Sequence, residues 1–247
     1  MTEPSAGSAD SGLTVALVHG AFADSSSWNG VISELRAAGV PVRAVPNPLR
    51  GINHDAAYVG SALAQFPGRV LAVGHSYGGA VITNAALPAG NVVGLVYVAA
   101  FAPDEGETLQ DIEADSADSV LNSALEQRKY PDGDGGTAAE LSIEPGKFHD
   151  AFAADLPPGD AMLGALTQRP VSVFAFGEPT GKPAWRSLPS WAVVATGDKA
   201  AGSDVVLSMA RRAGATITEI EGSHVVMQSQ PRAVAEVILS AVEALKQ

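Results

Sequence analysis

Val70-Leu71-Ala72-Val73-Gly74-His75-Ser76-Tyr77-Gly78-Gly79 runs from an apolar stretch into a glycine-flanked serine, and helix-compatible sequence to Ala86 follows. An uninterrupted apolar run of this length reads as a strand covered on both faces. The G-x-S-x-G spacing then places Ser76 on a sharp turn between strand and helix. Such a turn strains the serine backbone and lifts its hydroxyl above the sheet end. A Cβ at position 74 or 78 would collide with neighbouring chain, and Gly79 lets the helix pack close. The helix N-terminus favours negative charge beside Ser76.

The same pattern repeats outward from this turn. Leu13–Val18, Val42–Val45, Val70–Gly74, Val92–Ala100, Trp191–Thr196 and Thr216–Ile220 read as buried strands. Helical patterns lie between them: Trp28–Ala38 with Gly39 as a stop, Asp55–Gln65 ended by Pro67-Gly68, Gly78–Ala86 broken at Pro88, and Asp204–Arg212. After Pro231, Val234, Val237, Ile238, Ala241, Val242 and Leu245 form one apolar helical stripe. Strand–helix alternation of this kind implies a doubly wound α/β sheet with helices on both faces.

The alternation stops at Pro103 and resumes near Trp191. Residues 103–190 therefore read as an inserted cap of turns (Pro131-Asp132-Gly133-Asp134-Gly135-Gly136, Pro157-Pro158-Gly159) and short helical pieces. Residues 13–102 and 191–247 form the core, and residues 1–12 a flexible N-terminus. The chain has 247 residues and a formal charge of −12, of which −10 falls between Pro103 and Ser190. A solvated acidic surface accounts for that excess; over a pocket, it would disfavour anionic substrates. The acidic balance argues against a nucleic-acid partner. The absence of cysteine excludes thiolate nucleophiles and cysteine-ligated zinc. Met1–Gly12 lacks the pattern of a secretory signal, and Val92–Ala102 is too short to span a bilayer. A soluble, cytoplasmic protein with no membrane partner is expected.

A serine hydroxyl needs a base. Of the five histidines, His224 follows strand Thr216–Ile220 and so lies on the same sheet edge as Ser76. His75 should point away from the nucleophile, His19 reads as structural, and His54 and His149 read as loop and cap residues. Asp198, in the Gly197-Asp198 turn after strand Trp191–Thr196, is the candidate to orient His224. Asp204 is its rival but reads as the N-cap of the next helix. The order Ser76, Asp198, His224 is the one this motif calls for. Oxyanion donors would be the Tyr77 N–H and, from the loop after the first strand, the Ala21 N–H or secondarily the Phe22 N–H. One such donor is typically worth about 3 kcal/mol. Phe22, Trp28, Tyr77 and Phe101 are pocket candidates. Phe148, Phe152, Phe174, Phe176 and Trp185 could line a pocket but are as easily core. No metal or cofactor motif is present.

Val18-His19-Gly20-Ala21-Phe22 with Trp28, the serine turn, Ala99–Pro103, Thr196-Gly197-Asp198 and Gly222-Ser223-His224 together resemble the α/β-hydrolase superfamily. They look most like bacterial relatives of the plant methylesterase and hydroxynitrile-lyase branch. The resemblance runs from Leu13 to Leu245 and implies a six-stranded, all-parallel sheet. Val225 stands where lyases of that branch carry a lysine, which turns the expectation from cyanohydrin cleavage toward a neutral ester or lactone as substrate. The Asp198–Ser203 loop lacks the bulkier apolar residue and proline usual in relatives and is expected to be looser. The alternatives are a cofactor-free lyase, perhydrolase or oxygenase on the same scaffold, or a ligand-binding receptor. No oligomeric state follows from the sequence.

Overall fold

A computed structural model describes residues 12–133 and 135–246. The flexible tail expected at the N-terminus lies, from Met1 to Ser11, outside the described residues. The chain opens with β1 (Leu13–Val18), a 3-10 turn at Ser25–Trp28, α1 (Asn29–Ala37), β2 (Val42–Val45) and α2 (Ile52–Ala64). It continues through β3 (Arg69–His75), α3 (Tyr77–Ala89) and β4 (Val92–Val98). Next come α4 (Leu109–Ala114), β5 (Leu125–Pro131), β6 (Thr137–Ile143), α5 (Pro145–Phe152), α6 (Pro158–Thr167), β7 (Val171–Ser172) and α7 (Phe174–Gly177). The last part is β8 (Ser190–Ala195), α8 (Ser203–Arg212), β9 (Thr216–Ile220), α9 (Val226–Ser229) and α10 (Pro231–Ala244).

Six strands form one sheet in the order β2-β1-β3-β4-β8-β9, and every pairing in it is parallel. α1 packs on α10, and α2 packs on α3. The inner strands β3, β4 and β8 are buried almost throughout, which explains their unbroken apolar runs. The edge strands β2 and β9 are not the buried strands the sequence suggests. Each pairs on one side only and keeps residues open to solvent. From β1 the chain steps outward to β2 and returns on the other side as β3. This is a topological switch point, and open α/β sheets hold ligands at the carboxyl edge of such a point.

Three local expectations are corrected. α3 does not break at Pro88: the proline sits in its last turn, where little hydrogen bonding is lost, and the helix ends at Gly90, whose φ of 77° is left-handed. The helix expected from Trp28 is preceded by a 3-10 turn, capped where the Asp24 carboxylate accepts the Ser26 N–H at 2.7 Å. Asp204 does not cap α8; Gly202 holds that position, and Asp204 instead accepts Ser116 Oγ–H and Ala117 N–H.

The segment between β4 and β8 contains its own antiparallel sheet, β5-β6-β7. It is tied back to the core where Ser172 N–H donates to Leu49 O at 2.9 Å and Val120 N–H to Lys199 O at 2.8 Å. No helix among the described residues is long and apolar enough to cross a membrane.

Candidate active site

Ser76 stands between β3 and α3 with φ 52° and ψ −126°, a backbone conformation that L-residues rarely adopt. The surrounding chain holds it there. Ser76 N–H donates to Val98 O at 3.3 Å, while Ser76 O accepts Gly79 N–H at 2.9 Å and Phe101 N–H at 3.2 Å. Neighbouring backbone leaves no room for side chains at the flanking glycines. A Cβ on Gly74 would lie 2.5 Å from Gly78 O, and one on Gly78 would lie 2.5 Å from Val18 O. The loop after β1 closes on the serine: a Cβ at Gly20 would lie 2.6 Å from Ser76 Cβ.

His224 follows β9, and its Nδ1–H donates to Asp198 Oδ2 at 2.8 Å. Both residues are 1% exposed. With Nδ1 carrying the proton, Nε2 is left as the basic atom of the ring. The other Asp198 oxygen accepts Ala200 N–H at 2.9 Å and Ala201 N–H at 3.0 Å, so the loop expected to be loose is wrapped onto the carboxylate. His75 Nε2–H donates to His224 O at 2.9 Å, and the two rings lie 4.7 Å apart. Burial, with the neighbouring His224 charge, pushes the His75 pKa well below its ordinary value. His75 is thus a neutral support beneath the histidine loop.

His19 has the structural bonding expected of it: Nδ1–H donates to Gly20 O at 2.9 Å, and Nε2 accepts Asn47 N–H at 3.0 Å. Its pKa is lowered, chiefly by burial. His149 lies in α5, but His54 sits in the first turn of α2 rather than in a loop.

The backbone N–H groups of Ala21, Phe22 and Tyr77 donate to no acceptor among the described residues. Phe22 has φ 58°, so the loop after β1 turns sharply at that point. The Phe22 ring lies 6.1 Å from Phe152 and 6.4 Å from Phe176, and Phe152 lies 4.8 Å from His224. Phe152 therefore stands beside His224, and Phe176 beside Phe22 and Tyr77. A cleft lined by Phe22, Phe148, Phe152 and Val225, and also by Asp24 and Gln168, lies next to these rings, but neither Ser76 nor His224 lines it.

The other pocket candidates lie deeper. Trp28 is fully buried and stands edge-on to His75 at 6.3 Å, so it supports the site from below. Phe101 is buried, and its backbone N–H donates to Ser76 O at 3.2 Å. Tyr77 contributes one ring face toward Phe176, at 6.3 Å, but its hydroxyl donates to buried Asp55 at 2.8 Å. Burial and the Asp55 charge hold that phenol well above its ordinary pKa.

Sequence reasoning missed Asp55, Asp155 and Glu113. Asp55 also accepts Arg50 N–H at 3.0 Å, which fixes the start of α2. Asp155 accepts Ser223 N–H at 2.8 Å and Ser229 Oγ–H at 2.6 Å, and it also accepts Ser223 Oγ–H. These are contacts between distant segments, and nothing in their own neighbourhoods marks them. No group of three or more histidine and carboxylate residues among the described residues is placed to hold a metal.

A family model described as the alpha/beta hydrolase family matches residues 15–237, and the chain belongs to that family. Polyneuridine aldehyde esterase shares its fold at 22% identity and a TM-score of 0.77, over 93% of this chain and 99% of that one. The pyrethroid hydrolase PytH aligns at 22% identity with a TM-score of 0.75, over 95% of this chain and 100% of that one. Tomato methylketone synthase I, complexed with 2-tridecanone, aligns at 20% identity with a TM-score of 0.76, over 94% and 98% of the two chains. These likenesses show a shared fold. No curated protein matches the chain in sequence.

Proposed function

We propose that the protein is a serine hydrolase that cleaves neutral, small-to-medium carboxylic esters or lactones through an acyl-enzyme. His224 Nε2 takes the Ser76 proton as Oγ attacks the carbonyl carbon. Asp198 holds the ring in the required tautomer and stabilises its charged form. The tetrahedral oxyanion accepts Tyr77 N–H and Ala21 N–H, with Phe22 N–H as the alternative second donor. Collapse expels the alcohol, which takes the proton from His224. Water, deprotonated by His224, then releases the acid and restores Ser76.

The observation that carries this reading is the buried 2.8 Å bond from His224 Nδ1–H to Asp198, on the sheet edge where Ser76 is strained outward. Uncommitted N–H groups at Ala21, Phe22 and Tyr77 support the oxyanion assignment. Aromatic walls from Phe22, Phe152 and Phe176 support a neutral, apolar-flanked substrate. We take residues 103–190 as the cap that supplies two of those rings, and its net charge of −10 disfavours anionic esters. An esterase and a pyrethroid hydrolase among the proteins of this fold agree with ester cleavage. The test is a panel of neutral and anionic esters and lactones, assayed with wild type and Ser76→Ala. Turnover of neutral members, lost in Ser76→Ala, is expected; turnover that survives the substitution contradicts the proposal.

A further inference from the structure

Glu113, on α4, is a carboxyl group that the proposed reaction does not use. It is 5% exposed. One oxygen accepts Ser119 Oγ–H at 3.2 Å, and the other takes no hydrogen bond among the described residues. Burying a carboxyl without full pairing disfavours its charged form. Burial accordingly pushes its pKa up to about 7, against the opposing effects of the Ser119 hydrogen bond and the His224 charge. His224, itself paired with Asp198, is the titratable group whose charge reaches Glu113. In slightly acidic solution Glu113 therefore carries a proton and has an O–H to donate.

That group lines a cavity of about 350 Å³ with Asn122, Gln127, Leu141, Val173 and Phe176. The size is at the low end for small-molecule sites and fits part of a ligand. Phe176 is the wall it shares with the serine site, because the same ring stands 6.4 Å from Phe22 and 6.3 Å from Tyr77. Leu141, Val173 and Phe176 give the cavity an apolar wall; Gln110, Asn122 and Gln127 line it beside Glu113, and of its polar groups Glu113 is the one that titrates.

We propose that Glu113 is the polar end of a second substrate subsite, which takes a neutral hydrogen-bond acceptor, a ketone or second ester carbonyl, carried beyond the scissile ester. The subsite's part in turnover rests on the ester-cleaving reading; its existence as a binding site does not. Protonated Glu113 donates to the substrate oxygen. Ionised Glu113 has no proton to donate and repels the carbonyl lone pairs.

The experiment uses p-nitrophenyl alkanoates in which a ketone is moved along the acyl chain, compared with the plain chain at about pH 6 and about pH 8.5, either side of the Glu113 titration. Wild type should prefer one ketone position by about tenfold in kcat/KM at the lower pH, chiefly through KM, and lose most of that preference at the higher pH. Glu113→Gln, which keeps a donor that does not titrate, should hold the preference at both pH values. Glu113→Leu should abolish it. A preference unchanged in Glu113→Leu, or independent of pH in wild type, overturns the subsite. A second arm separates this proposal from the hydrolytic one: calorimetric binding of the matching alkyl ketone to Ser76→Ala. Affinity that falls about tenfold when Glu113→Leu is added supports the subsite even if no ester is cleaved. Affinity indifferent to Glu113→Leu overturns it.

Discussion

Asp155, from the segment between β4 and β8, accepts the backbone N–H of Ser223 at 2.8 Å, so the residue before His224 is anchored to the part of the chain that covers it. A Ser229 hydroxyl bond of 2.6 Å to the same carboxylate anchors the loop on the far side of His224. Burial works upward on Asp155, but these hydrogen bonds outweigh it and its pKa is lowered. Replacing Asp155 by alanine should lower kcat about tenfold with little change in KM, because the loop that carries the proposed base would no longer be pinned in place. Because the folded pKa lies below the unfolded one, the stabilisation is present above the unfolded value near 3.8 and is lost as pH falls through the folded value. Urea unfolding of wild type and Asp155→Asn at a series of pH values, followed by circular dichroism, checks this: wild type should be the more stable at neutral pH, and the difference should shrink as pH falls through the folded value.

Glu113 has the opposite sign. Its folded pKa of about 7 lies above the ordinary carboxyl value of 4.5, so its favourable contribution is complete below pH 4.5 and declines until pH 7. The shift corresponds to roughly 3 kcal/mol at most. In urea unfolding, Glu113→Gln should gain on wild type by up to about that amount between pH 4.5 and pH 8. Parallel stability curves for the two proteins would contradict the assignment.

His75 supports His224 by donating to its carbonyl at 2.9 Å. His75→Ala leaves that buried carbonyl without its donor and opens a cavity beneath the ring, which should cost about 2–4 kcal/mol in denaturant unfolding. Since burial holds the His75 pKa well below 6.5, wild type should keep full stability above that value and lose it as pH falls below. His75→Gln should show a shallower decline over the same range.

Gly20 tests how tightly the loop after β1 meets the nucleophile. An alanine Cβ there would stand 2.6 Å from Ser76 Cβ and 2.9 Å from His75 O, too close without moving backbone. Overpacking of this kind costs typically about 1–3 kcal/mol. Gly20→Ala should also lower kcat by about a hundredfold, since displacing the loop misplaces one oxyanion donor. Full activity in Gly20→Ala would mean that the loop takes no part.

Sequence reading reached furthest where structure is local. β1, β2 and β9 have the bounds that their apolar runs suggest, because strand, turn and helix signals lie within a few residues of one another. Asp198 and His224 are legible as candidates because each follows a strand by a few residues at the sheet's carboxyl edge, and the structure joins the two by a hydrogen bond. The β5–β6 hairpin was not found. Its strands, LEQRKYP and TAAELSI, are polar and half exposed, so they carry none of the apolar continuity that marked the core, and only the glycine-rich turn between them signals a hairpin. The position of Trp28 is not legible either: an aromatic close to the loop after β1 in sequence lies edge-on to His75 in space. Asp155 and Glu113 act across segments joined only by the fold.

The central claim is that Ser76 is a nucleophile activated by His224. A fluorophosphonate probe, followed by intact-mass measurement and peptide mapping, tests it most directly. Stoichiometric labelling at Ser76, loss of ester turnover in proportion, and labelling slowed at least a hundredfold in His224→Ala are the results expected. Ester turnover that persists with Ser76 fully modified, or an adduct on another residue, would contradict it.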